Sequence, residues 1–158
     1  MPCIFTNVVE WRFEMKYLLL VSHGGFSEGL KSTLAMFAGG AMDSVLAVGL
    51  KPGESVETLG KRFDQTVAAL PADSQFVVLA DMIGGSPLTT VCNVLNEHDM
   101  LDHSIVLGGM NFPMALTALL SKDTIDDASE LKEKILSEAR AAIKEFTVKS
   151  DDSDDDDI

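Results

Sequence analysis

Three short stretches of the sequence place chemically capable side chains beside paired glycines. Ser22-His23-Gly24-Gly25 closes one apolar run, Asp81 closes another ahead of Gly84-Gly85-Ser86-Pro87, and Gly108-Gly109 leads into Met110-Asn111. An imidazole is a nucleophile and proton carrier near neutral pH. A carboxylate that accepts its Nδ1–H fixes the tautomer and leaves Nε2 free to attack. Gly24 and Gly25 let backbone approach a ligand closely. A helix opening just beyond them, near Ser27, would turn its N–H groups and positive dipole end toward an anion such as phosphate. Gly84-Gly85-Ser86-Pro87 is a second glycine-softened helix start, with Ser86 as a capping residue and Pro87 at the first helical position. Its amides and the Ser86 hydroxyl could meet phosphate as well. Each stretch also has a plainer account. His23 could be a strand-end histidine bonded to a loop carbonyl, Asp81 a loop-bracing carboxylate, and Ser86-Pro87 a helix start and nothing more.

The elements around these residues decide where they stand. Continuous apolar runs of strand length occur at residues 17–22 (YLLLVS), 44–50, 76–80 and 104–107, the pattern of strands buried on both faces. Helical spacing falls between them. Leu30, Leu34 and Phe37 share one side of a helix over 28–37, stopped by Gly39-Gly40. Val56, Leu59, Phe63, Val67 and Leu70 form a stripe over 54–70, ended by Pro71. Leu88, Val91, Cys92 and Leu95 line a third helix, a fourth runs to about Leu120, and a long fifth covers about 129–146. Alternating strands and helices predict an α/β fold, an open, mainly parallel four-stranded sheet with helices on both faces. In such sheets ligands bind beyond the carboxyl ends of the strands, where strand order reverses. His23, Asp81 and Gly108–Asn111 all fall at carboxyl ends. His98, Asp99, Asp102 and His103 lie between a helix and the following strand, and so belong on the opposite rim. The five-residue spacing of the two histidines does not suit a shared metal, and a polar surface loop accounts for them. No metal site is expected.

Composition bounds the function. The 158 residues carry a formal net charge of −13 with 46% hydrophobic residues, which suits one folded domain and excludes a disordered chain. Six aspartates of Ser150–Ile158 supply nearly half of that charge, and this self-repelling tail is expected to be disordered. Without clustered Lys and Arg, nucleic-acid binding is not expected. Cys3 and Cys92 are too few for a disulfide framework, and Cys92 reads as a buried thiol. No apolar run approaches the roughly 18 residues of a membrane span, and no secretory signal opens the chain, so the cytoplasm is the expected compartment. Residues 1–14 read as an upstream extension, 15–149 as the domain, 150–158 as the tail. No G-x-x-x-x-G-K-[ST] loop is present, so direct use of ATP is unsupported.

The order strand, SHGGF, strand, helix, strand, ADMIGGSP, helix, strand, LGGMNFPM resembles the IIA domain of the mannose-class sugar phosphotransferase system over residues 15–146. The resemblance implies that His23 is phosphorylated on Nε2 and that Asp81 pairs with it. It also implies that the loop before Ser86 and the one around Asn111 line the same pocket. It further implies phospho-HPr as donor, a IIB protein as acceptor, and membrane IIC and IID subunits as indirect partners. No cofactor is implied. Such domains are typically homodimers that exchange an antiparallel edge strand, for which Phe146–Lys149 is one candidate. The branch serving dihydroxyacetone kinase is less favoured, given Gly-Gly-Ser-Pro after Asp81. A receiver-like module phosphorylated on Asp81 would need an acidic pair where Ser22-His23 stand. A sensor or regulatory module reading sugar supply through its phosphorylation state would use the same two residues.

Overall fold

The computed structural model describes residues 15–148. The N-terminal extension, Lys149 and the acidic tail lie outside the described residues. Strand β1 spans Lys16–His23, and Tyr17 through Ser22 are all buried along it. This is the continuous burial expected of a central strand covered on both faces. Strands β2 (Val45–Leu50), β3 (Gln75–Ala80) and β4 (Ile105–Leu107) pair with it in the order β2-β1-β3-β4, every pairing parallel.

Three helices fill the connections, α1 (Phe26–Ala38), α2 (Val56–Ala68) and α3 (Ser86–Glu97), and two more follow β4, α4 (Phe112–Ser121) and α5 (Ala128–Ala141). Alternate β1 side chains divide the core in two. Leu18 and Leu20 pack with Leu34 of α1, Met114 and Ala118 of α4, and Leu131 and Ile135 of α5. Tyr17, Leu19 and Val21 pack with Leu59, Phe63 and Val67 of α2 and Val91 and Leu95 of α3. At about 1.5–3 kcal/mol for each fully buried large apolar side chain, both faces of β1 are firmly anchored. The strand end that carries His23 inherits that rigidity.

Two details differ from the sequence reading. Helix α1 stops at its C-cap Gly39, as the glycine pair indicates, but a 3-10 segment over Gly39–Ser44, which the apolar spacing does not announce, precedes β2. Helix α5 ends at Ala141 rather than continuing to Phe146, because Ile143 and Phe146 keep the helical spacing but meet no covering surface and are 75% and 88% exposed. Residues 143–148 form neither helix nor strand within this chain. The edge-strand candidate Phe146–Lys149 would pair with a second subunit, and as far as Val148 it has no strand partner within this chain. No described helix is long and apolar enough to cross a membrane.

Candidate functional site

Strand order fixes where the chemistry stands. From β1 the chain moves outward to β2, then returns across β1 to β3, so the order reverses between β1 and β3. His23 is the last residue of β1, and Asp81 follows the last residue of β3. The parallel register aligns Val21 with Ala80, and the Asp81 N–H donates to the Val21 carbonyl at 3.0 Å. The reversal point is the place where an open parallel sheet leaves a crevice, and both residues lie at its mouth.

One carboxylate oxygen holds His23 twice. Oδ2 of Asp81 lies 2.9 Å from the His23 backbone nitrogen and 2.9 Å from ring Nδ1. Oδ1 accepts the Met82 N–H at 2.8 Å. Partial burial opposes ionisation of Asp81. The hydrogen bonds from the His23 backbone, the His23 ring and the Met82 backbone outweigh it and hold the carboxyl below its ordinary range. An ionised carboxylate can only accept, so Nδ1 carries the hydrogen and the remaining lone pair of the neutral ring is on Nε2. The His23 side chain is 45% exposed, whereas Asp81 is 20% exposed. The imidazole faces outward and the carboxylate that holds it is sheltered.

The glycines shape this arrangement in different ways. Gly24 has φ +57, a left-handed turn that lets the chain leave β1 immediately after His23. Gly25 is the N-cap of α1. Gly84 lies exposed in the loop after Asp81. Gly85 is the buried N-cap of α3, and a Cβ there would stand 2.9 Å from His23 Cε1. The imidazole rests in the space that a side chain would fill. Ser86 is the first residue of α3 and exposed, and it does not cap the helix as its type suggested. Asn111, at the end of β4, caps α4 by accepting the Met114 N–H at 2.8 Å. It sits on the same rim, on the far side of β3, where the Met110 N–H donates to the Ala80 carbonyl.

Helix starts separate the site from the rest of the fold. Helices α2, α4 and α5 are each capped by the side chain at their N-cap, Ser55, Asn111 and Asp127. Helices α1 and α3, which begin on either side of His23, have glycine N-caps with no side-chain bond. Ser22 Oγ, fully buried, accepts the Ser27 N–H at 2.8 Å and steadies α1 from beneath. Sequence reasoning missed this contact, because the capping group lies five residues before its target and inside a strand. The Gly25, Phe26, Gly85 and Ser86 amides find no protein acceptor among the described residues, and the start of α3 adjoins the imidazole through Gly85.

The polar residues assigned to the opposite rim are found away from the site. His98 caps the C-terminus of α3 and lies 2.7 Å from Asp64 of α2. Asp99 and His103 line a cavity of about 280 Å³ with Ser74 and Gln75, at the amino end of β3. Among the described residues no group of three metal-ligating side chains converges. Cys92 is half-buried, and burial pushes its thiol up, away from reactivity.

The family model described as "PTS system fructose IIA component" matches residues 17–136. The chain belongs to this mannose-class IIA family of the sugar phosphotransferase system. It is 26% identical over 132 residues to the "PTS system mannose-specific EIIAB component" of Escherichia coli, covering 84% of this chain and 40% of that protein. The chain thus spans about two fifths of the length of that relative. It is also 26% identical over 102 residues to the "PTS system fructose-specific EIIA component" of Bacillus subtilis, covering 65% and 67% of the two chains. Among solved structures, the phosphotransferase system component EIIA from Streptococcus agalactiae superposes with a TM-score of 0.70 at 26% identity. That match covers 84% of this chain and 98% of the other. The mannose-class IIA fold thus frames His23 and Asp81 at the reversal point of the sheet.

Proposed function

We propose that this IIA domain is a phosphohistidine relay protein that accepts a phosphoryl group on His23 Nε2 from phospho-HPr and passes it to a IIB component. The observation that carries the reading is the double hydrogen bond from His23 to Asp81, which leaves Nε2 free on a half-exposed ring. In the transfer, the Nε2 lone pair attacks phosphorus in line as the bond to the donor's leaving group breaks. The hydrogen on Nδ1 stays with the ring, held by the Asp81 carboxylate, which also offsets positive charge developing on the imidazole. The Gly25, Phe26, Gly85 and Ser86 amides receive the equatorial oxygens. Onward transfer reverses these steps, with the imidazole as leaving group and the phosphoryl moving to the acceptor.

The rim around His23 supports protein donors and acceptors in preference to a small molecule. Phe26, Met82 and Ile83 follow closely on His23 and Asp81 in the chain and are 48%, 52% and 67% exposed, apolar area of the kind that protein partners cover. In this reading the protein is cytoplasmic, reaches the membrane IIC and IID subunits only through IIB, and works as a homodimer. The test is phosphoryl transfer from radiolabelled phosphoenolpyruvate through Enzyme I and HPr. Wild type should gain an acid-labile, alkali-stable label that His23→Ala lacks. Persistent labelling of His23→Ala would overturn the assignment.

A further inference from the structure

The turn that carries His23 stands on the end of a neighbouring strand, and that strand end is held from outside the site. In the β1/β2 register Ser22 faces Gly49 and His23 faces Leu50. The peptide just beyond His23 meets both β2 residues. The Gly24 N–H donates to the Leu50 carbonyl at 2.8 Å. The Gly24 carbonyl oxygen presses so closely on Gly49 that any Cβ at position 49 would collide with it. The Ser27 hydroxyl of α1 packs against the same spot, 3.3 Å from where that Cβ would stand. The floor of the His23 turn is therefore Gly49-Leu50.

A single guanidinium fixes that floor. Arg62, on α2, donates from Nη2 to the Gly49 carbonyl at 2.9 Å. The same group forks onto Glu54, with Nη2 3.0 Å from Oε2 and Nε 3.2 Å from Oε1. Glu54 Oε2 in turn accepts the Lys51 N–H at 2.9 Å, and the Glu54 N–H donates to the Lys51 carbonyl. The hydrogen bonds from Arg62 and from the Lys51 N–H hold the Glu54 carboxyl below its ordinary range. Strand end, following turn and helix are thus tied by one planar five-donor group. Lysine cannot copy this geometry, because an ammonium lacks the fork.

We propose that Arg62 is a positioning residue for phosphoryl transfer at His23, acting through Gly49 and the Gly24 peptide, an inference that rests on the relay reading above. It touches neither phosphate nor imidazole. Its effect is on the attitude of the turn from which the imidazole projects, where small misplacements of a reacting group are expensive in rate.

The experiment compares wild type with Arg62→Met, Arg62→Lys and Gly49→Ala, each checked for a cooperative unfolding transition. It reads single-turnover phosphoryl uptake from phospho-HPr and amide hydrogen exchange of Gly24 and Val78. The expected result for Arg62→Met is a fall of about tenfold in rate at saturating donor, with donor KM changed less than about twofold. Exchange at Gly24 should rise by about tenfold while Val78, in the core of β3, is unaffected. Arg62→Lys should fall between wild type and Arg62→Met. Gly49→Ala, whose methyl collides with the Gly24 carbonyl, should show the same signature and calibrates how far the turn governs the rate, and Arg62→Lys serves if Arg62→Met does not fold. A wild-type rate and unchanged Gly24 exchange in Arg62→Met would overturn the proposal, whatever Gly49→Ala does. So would a loss of protection shared by Gly24 and Val78, since that marks general destabilisation. If wild type itself takes no label on His23, the relay reading fails, and the Gly24 exchange still decides whether Arg62 holds the turn.

Discussion

His23 and His98 each hold an aspartate oxygen within hydrogen-bond distance, 2.9 Å to Asp81 and 2.7 Å to Asp64. The shorter contact belongs to His98, yet the surroundings of the two rings are opposite. His23 stands at the end of a buried strand, near two helices that begin at glycine N-caps. His98 is the C-cap of α3, at the negative end of that helix, with Glu97, Asp99 and Asp102 close by in sequence. A phosphoryl group would be drawn to the first and repelled from the second. The comparison teaches that a histidine–aspartate pair is not in itself a site. In the proposed relay, helix polarity and the uncommitted amides at the helix starts make the difference, and both follow from which end of a parallel strand the residue occupies.

The sharpest way to break this contrast is to remove each ring. His23→Ala should lower phosphoryl uptake by more than about a thousandfold, since no second nucleophile replaces it. His98→Ala should leave uptake within twofold of wild type and change stability by less than about 1 kcal/mol. A large loss with His98→Ala would erase the distinction drawn here. Next in size are the two carboxylates. Asp81→Asn should slow transfer by about 10- to 100-fold, because the charge-assisted bond that fixes the tautomer is worth about 1.5–3 kcal/mol. Asp64→Asn should have no measurable effect on rate, and rapid-quench kinetics of both variants checks the pair.

A third perturbation fills the space beside the ring. In Gly85→Ala the new methyl would stand 2.9 Å from His23 Cε1. A displacement of several tenths of an ångström should reduce uptake by about tenfold, and a rate equal to wild type would show that the imidazole does not rely on this clearance. The smallest effect concerns pH. Because the Asp81 carboxyl is held below its ordinary value near 3.8, it contributes stability that is fully present above that value. This contribution is lost as pH falls through the lower folded-state value. The unfolding free energies of wild type and Asp81→Asn should therefore converge as urea melts are taken from pH 6 toward pH 3. A constant gap across that range would contradict the assigned hydrogen bonds.

Much of this contrast was legible in the sequence, for a physical reason. Strands buried on both faces leave continuous apolar runs, so the four strand positions and their carboxyl ends could be read from YLLLVS, SVLAVGL, FVVLA and SIVL. The carboxyl-end rule then separated His23 and Asp81 from His98 and His103. What could not be read depends on contacts between distant elements. Ser22 serves α1 from within β1, which no local capping pattern announces. Ser86 has the type of a cap, yet Gly85 takes that position because the imidazole crowds it. Arg62 looks like any charge on an exposed helix face until β2 is seen to end beneath it. The spacing of Ile143 and Phe146 continues a helical stripe, but periodicity reports only where apolar residues fall, not whether another surface covers them. The functional domain boundaries at 1–14 and 150–158 concern residues outside those described.

The central claim is that Asp81 retains Nδ1 of His23 while Nε2 takes the phosphoryl group. It is tested most directly by NMR of the phosphorylated protein carrying isotope-labelled histidine, reading which ring nitrogen is coupled to phosphorus. The account predicts one phosphorylated histidine, His23, coupled through Nε2, with Nδ1 still bearing its hydrogen and that signal perturbed in Asp81→Asn. Phosphorus coupled to Nδ1, or found on His98 or on a carboxylate, would contradict it.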